Sequence, residues 1–222
     1  MYRIQIGGDF MNHIFLKEIS RKVVLKRKKP FYEKVVVRRA VLEDMPGIYH
    51  VAASVGNDTQ EPYDGFLMDD YTSNPNFYKE RFNNWINKLE FFYVAEVKNQ
   101  IVGFLMAFTK DEWLEENPDW INHIHWQPNF NCDLLNHFVL TDKIAILSGY
   151  TALGIGSQIY ESYLSDLNDA KFENIFSETI VGPVPNFASL SFRIKQKFSL
   201  VGVRFENYKD FLYTDLIYHR KV

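Results

Sequence analysis

The segment ILSGYTALGIGS, from residue 146 to residue 157, constrains the fold of this chain more than any other. A β-prone run enters a tight turn in which Gly154 and Gly156 lie one residue apart. Glycines let backbone N–H groups approach an anion, and the start of a helix carries partial positive charge. The segment therefore predicts a strand–turn–helix that either binds phosphate or simply turns tightly. Apolar residues at helical spacing follow it, at Ile155, Ile159, Tyr163, Leu164 and Leu167.

Two common phosphate-binding motifs do not fit this segment. The dinucleotide fingerprint needs a third glycine where Ile159 stands, and the P-loop needs a Gly-Lys-Ser/Thr that the chain lacks. The place of the turn along the chain is then the most useful indication. Three predicted strands precede it in series, and one more strand and a helix follow.

The remaining pattern alternates strands and helices. A β-branched run at 35–37 precedes a helix for which Glu43 and Asp44 are predicted caps, with Pro46 in the first turn. A second amphipathic helix is predicted at 77–89 and an irregular Trp-rich segment at 110–136. The other predicted strands are 91–97 and 101–109 (a hairpin), 138–147, 174–181, 201–207 and 211–218, with a short helix at 186–195. This order predicts one α/β domain with a mixed, mostly antiparallel sheet flanked by helices.

Length and charge divide the 222 residues into two parts. Residues 1–33 are predicted to be a basic extension, and residues 34–222 one domain with an insertion at about 110–136. The first 40 residues hold 11 Lys/Arg and 3 Asp/Glu, a net charge of +8, with the densest cluster at 26–29, whereas the rest sums to −11. A solvated arm that packs on the acidic body is the main expectation for the extension, with nucleic acid or anionic lipid as the alternative. The acidic body favours a cationic substrate.

Cysteine count and hydropathy indicate the compartment. A single cysteine, Cys132, excludes an internal disulfide, and no apolar run approaches the roughly 20 residues that span a bilayer. With no signal-peptide core at the start, we expect a cytoplasmic protein that does not associate with membranes. No metal is expected, because zinc-site spacing is absent among His123, His125, Cys132 and His137. A small packed lid or an interface is the expectation for Trp113, Trp120 and Trp126.

Four places in the chain resemble the GNAT superfamily (GCN5-related N-acetyltransferases), over roughly residues 35–220. Val36–Ala53 is similar to the opening strand and helix of that family, and Thr151–Gly156 is similar to its acetyl-CoA loop, Arg/Gln-x-x-Gly-x-Gly/Ala. Residues 186–198 resemble the later Asn-x-x-Ser helix that ends in Gly-Phe. Residues 202–217, with Tyr213 and Asp215, resemble the last two strands.

The resemblance implies acetyl-CoA as cosubstrate and an amine as acceptor, with a backbone N–H around Ile146 as donor to the oxyanion. The resemblance leaves open whether two copies of the chain form a homodimer. The cofactor-binding residues that it implies are Ile146, Ser148, Thr151, Ala152, Leu153, Gly154, Ile155, Gly156, Ser157, Asn186 and Ser189.

The chain departs from the family pattern at several positions. Thr151 stands where Arg or Gln is usual, Ser148 where Pro is common, and Lys197 where Gly precedes Phe198. The tyrosine that often protonates the leaving thiolate would fall at Arg193, which cannot donate a proton at neutral pH. Arg193 could instead stabilise a thiolate by its charge or bind a CoA phosphate.

Two carboxylates are the candidate general bases. Asp142 comes first, because it starts the strand where the resemblance implies a Glu that acts as base through water in some relatives, and Glu178 second, because it lies on the next strand near the point where the sheet would separate. The principal prediction is an acetyl-CoA-dependent N-acetyltransferase acting on a primary amine of a small molecule or peptide. The alternative is a catalytically impaired module that binds acyl-CoA, since Thr151 and Arg193 both depart from the pattern. Nucleic-acid binding through the basic extension is the remaining, less favoured hypothesis.

Overall fold

The alternating and helical patterns of the sequence form eight strands and five helices in the part of the chain that the computed structural model describes, residues 33–56, 61–208 and 210–222. The basic cluster at 26–29 lies outside the described residues. The strands are β1 Val36–Arg39, β2 Phe91–Val97, β3 Gln100–Thr109, β4 Ile124–Trp126, β5 Val139–Ile146, β6 Asn174–Gly182, β7 Ser199–Tyr208 and β8 Phe211–Lys221. The helices are α1 Met45–Ser54, α2 Pro75–Lys88, α3 Lys110–Glu116, α4 Ile155–Asp169 and α5 Phe187–Lys195.

All eight strands form one sheet in the order β1-β2-β3-β5-β6-β8-β7-β4. Every neighbouring pair is antiparallel except β5 and β6, which run parallel and are joined through α4. The mixed α/β architecture predicted from the sequence is therefore confirmed. None of the helices within the described ranges is long and apolar enough to cross a membrane.

Helices cover both faces of the sheet, and each face has its own apolar core. On one face α1, α2 and α3 pack through buried residues such as Ile48, Phe82 and Trp113. On the other face α4 and α5 pack through residues such as Tyr163 and Leu190. Side chains alternate between faces along a strand, so β2, β3, β5, β6 and β8 contribute to both cores.

The parallel pair β5–β6 separates soon after it forms. Its register covers Val139–Thr141 against Ile175–Ser177 and ends there. The buried Ser177 hydroxyl donates to the carbonyl oxygen of Thr141 over 3.0 Å and closes the last paired position. Beyond it the two strands diverge, and a split opens in the middle of the sheet.

Some local predictions need correction. Asp44 does occupy the N-cap position of α1, but it makes no capping hydrogen bond. Its carboxylate accepts instead from the Arg38 guanidinium (2.8 Å) and from the Val41 N–H (2.9 Å). Glu43 is exposed and does not take its place.

The segment 110–136 is more ordered than predicted. Thr109 and Glu112 form a reciprocal capping box that starts α3. Ile124–Trp126 adds β4 to the sheet edge against β7. The three tryptophans are part of the core on the α1–α3 face rather than a lid or an interface, and Trp120 is only 2% exposed.

Candidate active site

A cavity of about 620 Å³ occupies the split between β5 and β6. Its walls are the diverging ends of these strands, the turn before α4, one side of α5 and the segment 63–69. The strands no longer pair here, so backbone N–H and C=O groups that would be hydrogen-bonded in a continuous sheet are available to a ligand.

The turn before α4 is shaped to receive an anion. Ala152 (φ +60°) and Gly154 (φ +88°) both adopt left-handed backbone conformations. Within the described part of the chain, the N–H groups of residues 152–156 have no protein acceptor. Lys195 adds a charge at the same place, since its Nζ lies 2.8 Å from Ser157 Oγ. A helix start with free N–H groups and a lysine is suited to a phosphate or pyrophosphate.

Two residues of this turn also make contacts within the protein. The Thr151 hydroxyl donates to the carbonyl oxygen of Ser148 over 3.0 Å, so it is engaged within the turn. A Cβ on Gly156 would lie 3.5 Å from the Phe192 ring and 3.7 Å from Ile144. Gly156 therefore serves the close packing of α4 against β5 and α5.

Backbone N–H groups of β5 also face the split. Leu147 donates its N–H to Val102 of β3. Because N–H groups alternate in direction along an antiparallel strand, those of Ile146 and Ile144 point away from β3, toward β6. The β5–β6 pairing has already ended there, so these groups face the cavity that both residues line.

A bulge in β5 brings two charged side chains together. Met106 of β3 pairs with Lys143 and Ala107 with Thr141, which leaves Asp142 as the extra residue. The Lys143 ammonium lies 2.6 Å from the Asp142 carboxylate and 3.8 Å from Asp69. Burial alone would lower the pKa of Lys143, but the carboxylates of Asp142 and Asp69 raise it above its ordinary value.

A second charged cluster lies across the split on β6 and the β7–β8 hairpin. Arg204 lies 3.0 Å from Glu178, 2.6 Å from Glu206 and 3.5 Å from Asp215. Three carboxylates therefore share one guanidinium. Burial raises the pKa of Glu178 to about 7, against the opposing pull of Arg204. Burial likewise raises the pKa of Asp215 to about 6.

Asn186 connects α5 to the wall of the cavity. Its side-chain oxygen accepts from the Ser189 N–H over 3.0 Å and caps α5. Its NH₂ group donates to the carbonyl oxygen of Phe66 over 2.9 Å. Ser189 in turn shares a hydrogen bond of 2.9 Å with Thr179 of β6. These contacts fix α5 and the segment 63–69 relative to the split.

Arg193 lies inside the same cavity wall. Its side chain is 2% exposed, and its Nε and Nη1 are buried without a hydrogen-bond partner. The guanidinium carbon lies 5.3 Å from the Phe198 ring and 5.8 Å from the Phe192 ring. Burial lowers the pKa of Arg193, although a guanidinium stays protonated at neutral pH.

Known proteins match this chain in structure and not in sequence. No protein-family model and no curated protein matches it. The PaiA N-acetyltransferase of Thermoplasma acidophilum, solved in complex with coenzyme A, matches with a TM-score of 0.56 at 15% identity, over 85% of this chain and 99% of that one. The chain has the GNAT fold. The ribosomal-protein-S18-alanine N-acetyltransferase of Escherichia coli matches similarly, with a TM-score of 0.55 at 12% identity, over 85% and 94% of the two chains. An acetyltransferase of the GNAT family from Bacillus cereus matches with a TM-score of 0.51 at 17% identity, over 85% and 97%.

The GNAT fold of this chain brings most of the predicted site residues to one cavity. Those that line it are Asp142, Ile146, Thr151, Ala152, Gly154, Gly156, Ser157, Glu178, Asn186, Ser189 and Arg193. Ser148, Leu153 and Ile155 do not line it. Ser148 is exposed, and Ile155 is buried in the core below α4.

Several residues of the cavity were not predicted. Lys143, Lys195 and Arg204 supply its cations, and Asp69 and Asp215 supply further carboxylates. Lys195 is the last residue of the predicted Asn-x-x-Ser helix. Of these residues, it is the only one whose place at the cavity the sequence could have indicated. The others depend on pairing between distant strands. Within the described ranges no group of three His, Cys, Asp or Glu is arranged to hold a metal ion.

Proposed function

We propose that this chain binds acetyl-CoA in the split between β5 and β6 and transfers the acetyl group to a primary amine of a small cationic molecule or peptide. The observation that carries the proposal is the continuity of the cavity. It joins free N–H groups at the start of α4 to the free N–H groups of β5. A pyrophosphate fits the former, and the amide-containing arm of CoA fits the latter as an added strand.

The Ile146 N–H is the proposed donor to the oxyanion. It lies on the edge of β5 that faces the split, and β6 does not pair with it. A fixed backbone donor stabilises the negative charge that develops on the thioester oxygen during attack. Removing one such donor from an enzyme typically costs roughly a factor of 10²–10³ in turnover.

We call the part of the cavity away from the start of α4 its acceptor half. The charges on this half support a cationic substrate. Five carboxylates line this half and two cations accompany them: Asp64, Asp69, Asp142, Glu178 and Asp215, with Lys143 and Arg204. The negative excess attracts a protonated amine and disfavours an anionic acceptor. It agrees with the acidic balance of residues 41–222.

The attacking nitrogen must lose a proton before it attacks. For an alkyl ammonium with a pKa near 10.4, deprotonation at neutral pH costs about 4.6 kcal/mol. Glu178 is the better-supported base, because burial raises its pKa to about 7 and three carboxylates share Arg204. Asp142 also lines the cavity and is the second candidate. It ranks below Glu178 because its carboxylate is already paired with the Lys143 ammonium.

A matched set of acceptors tests the proposal. Diaminobutane, butylamine and aminobutanoate share a four-carbon chain and differ in a second amine, a methyl group and a carboxylate. With acetyl-CoA as donor, we expect transfer to decrease in that order, because the cavity wall is acidic. Equal rates for diaminobutane and aminobutanoate would contradict the acceptor class. The donor site would then still be judged from acetyl-CoA binding alone.

The alternative is a module that binds acyl-CoA without turnover. Two observations favour it: the Thr151 hydroxyl is engaged within its own turn, and no proton donor stands at Arg193. In that case acetyl-CoA binds, and a broad screen of amines releases no CoA above the uncatalysed rate. Turnover with any amine excludes this alternative.

A further inference from the structure

Arg193 differs from the other cations that are held inside the cavity wall. Lys143 and Arg204 each contact a carboxylate, at 2.6 Å from Asp142 and 3.0 Å from Glu178. Arg193 is more deeply buried than either and has no carboxylate partner among the described residues. Its Nε and Nη1 donate to nothing.

Burying an unpaired charge is unfavourable, so the position calls for a counter-ion. The rings of Phe192 and Phe198 offset part of the cost through cation–π contact, but ring faces do not satisfy several directed N–H donors. No carboxylate in the described part of the chain fills this place. The anion must therefore arrive with a ligand of the cavity.

Two further buried donors have no partner among the described residues, one on the cavity wall and one near Arg193. Ser191 Oγ has none, and Ser191 lines the same cavity. The Tyr160 hydroxyl of α4 has none either, and its ring packs 5.6 Å from the ring of Phe192. Three polar groups left unpaired in one buried region indicate a site that is completed by a bound molecule.

The phosphates of CoA are not the natural partner of this guanidinium. They are provided for at the start of α4, where free N–H groups and the exposed Lys195 lie. Arg193 is instead enclosed by aromatic rings, with Phe192 and Phe198 nearest. Such surroundings suit a polarisable sulfur.

We propose that Arg193 holds the sulfur of CoA as a thiolate when the acyl group leaves. The step rests on the proposed function. The amine nitrogen forms a bond to the carbonyl carbon, the carbon–sulfur bond breaks, and its electron pair stays on sulfur beside the guanidinium. The ammonium first gives one proton to the Glu178 carboxylate, which releases it to solvent, and the nitrogen gives its second proton to the same carboxylate as the amide forms. The sulfur thus leaves as an anion that is stabilised by charge, and no side chain needs to protonate it.

The pH dependence of binding tests this proposal without knowledge of the acceptor. The affinities of CoA and acetyl-CoA for the whole protein are measured by calorimetry from about pH 6 to about pH 9, a range that includes the ordinary thiol pKa of about 8.5. The ratio of the two affinities cancels the titration of the phosphates, which both ligands share. The titration of Glu178, whose pKa is about 7, is separated by comparison with Arg193→Gln, which keeps that carboxylate. We expect CoA to gain about tenfold over acetyl-CoA between about pH 7 and about pH 8, because only CoA can become a thiolate.

The groups that face Arg193 do not titrate in this range. From α4 and β8 these are Tyr160, Tyr163 and Tyr218, and burial raises the pKa of each above its ordinary value. The guanidinium of Arg220 on β8 lies 6.0 Å from the Phe198 ring and 5.6 Å from the Tyr160 ring. It stays charged throughout this range. A pH-dependent ratio therefore reports the thiol.

Two variants complete the test. Arg193→Gln should remove the pH dependence of the ratio and leave acetyl-CoA affinity near that of the parent, whereas Arg193→Lys should keep part of the dependence. An identical pH dependence for CoA and acetyl-CoA in the parent overturns the proposal, even if neither variant folds. A pH-dependent ratio that survives in folded Arg193→Gln overturns it too. If neither ligand binds the parent, the proposed function itself is wrong and this inference falls with it.

Discussion

Trp120 donates its indole N–H to the carboxylate of Glu178 over 2.9 Å, and this bond joins the aromatic core to the cavity. Trp120 is itself packed between Trp113, Trp126 and Phe138, so its N–H has a fixed position. Glu178 is thereby held at the first position beyond the end of the β5–β6 pairing. The segment 110–136 contacts the proposed site through this bond and through β4, whose Ile124 pairs with Arg204 of the cavity wall.

Glu178→Gln should lower turnover by roughly 10²–10⁴-fold at neutral pH and remove the acid limb of the pH–rate profile. The amide keeps an oxygen for Trp120 but cannot accept the proton of the amine. With a pKa of about 7 for Glu178, the parent rate should rise with pH around that value. The measurement is steady-state kinetics with diaminobutane across pH.

Asp142→Asn is the matched comparison for that variant, because both carboxylates line the cavity and both hold a cation. We expect Asp142→Asn to keep the acid limb and to lose less activity than Glu178→Gln. The reverse order would make Asp142 the base. CoA affinity should be unchanged in both variants.

The raised pKa of Glu178 also predicts how stability changes with pH. The folded state holds this proton up to about pH 7, whereas the unfolded chain releases it near its ordinary value of 4.5. The folded state therefore binds more protons between these values, and the free energy of unfolding should fall as pH rises through them.

Urea unfolding of the parent and of Glu178→Gln between pH 4.5 and pH 7 measures this contribution. The difference between the two proteins should drift in favour of the variant, by at most on the order of 3 kcal/mol, and level off above that range. Asp215, with a pKa of about 6, shares Arg204 with Glu178, so the same comparison in an Asp215→Asn background isolates the contribution of Glu178. Parallel pH curves would contradict a buried, proton-holding Glu178.

Gly154→Ala should weaken CoA binding by tenfold or more, equivalent to about 1.4 kcal/mol. Gly154 has a φ of +88°, which costs an L-residue roughly 1–2 kcal/mol, so relief of this strain turns the N–H groups of the turn away from the phosphates. A Cβ there meets no atom within 4 Å, so the effect comes from the backbone and not from a clash.

Gly149→Ala is the control, since a Cβ at Gly149 also meets nothing within 4 Å and its φ is not positive. Its CoA affinity should equal that of the parent. Gly156→Val is less informative, because it crowds the Phe192 ring as well as the cofactor. A folded Gly154→Ala that binds CoA as the parent does would show that the turn is not the phosphate site.

Asn186→Ala should destabilise the fold by more than Asn186→Ser does. Alanine removes the cap of α5, worth about 0.5–2 kcal/mol, and leaves the buried Phe66 carbonyl without its donor. Serine keeps a side-chain oxygen that caps the helix at the Ser189 N–H and loses the donor to Phe66. Urea midpoints separate the two contributions. A large turnover defect in Asn186→Ala, with stability and CoA affinity intact, would point to chemistry at Asn186 instead.

The sequence allowed most elements to be predicted, because their apolar residues recur with the period of a helix or a strand. The strand Ile124–Trp126 was not predicted, because three residues are too few to show a period. Its formation depends on pairing with β7, which is distant in the sequence. The cap predicted at Asp44 failed because Arg38 and the Val41 N–H take that carboxylate. The capping box of Thr109 and Glu112 was visible in the sequence and was overlooked.

The site was predictable where its chemistry is local and not where it depends on pairing. The glycine turn and the Asn186 cap follow from neighbouring residues, and both lie at the cavity. The bulge at Asp142 exists only relative to β3, so the sequence alone could not show that Lys143 shares its side of the strand. The sharing of Arg204 among three carboxylates likewise needs the register of three strands.

A backbone amide NMR titration with acetyl-CoA tests the central claim most directly. The account predicts saturable one-to-one binding in which the largest shifts fall on the amides of residues 152–156 and on those of Ile144 and Ile146. These are the N–H groups that the turn and the open edge of β5 leave available. Absence of saturable shifts, or shifts centred away from the split between β5 and β6, would contradict it.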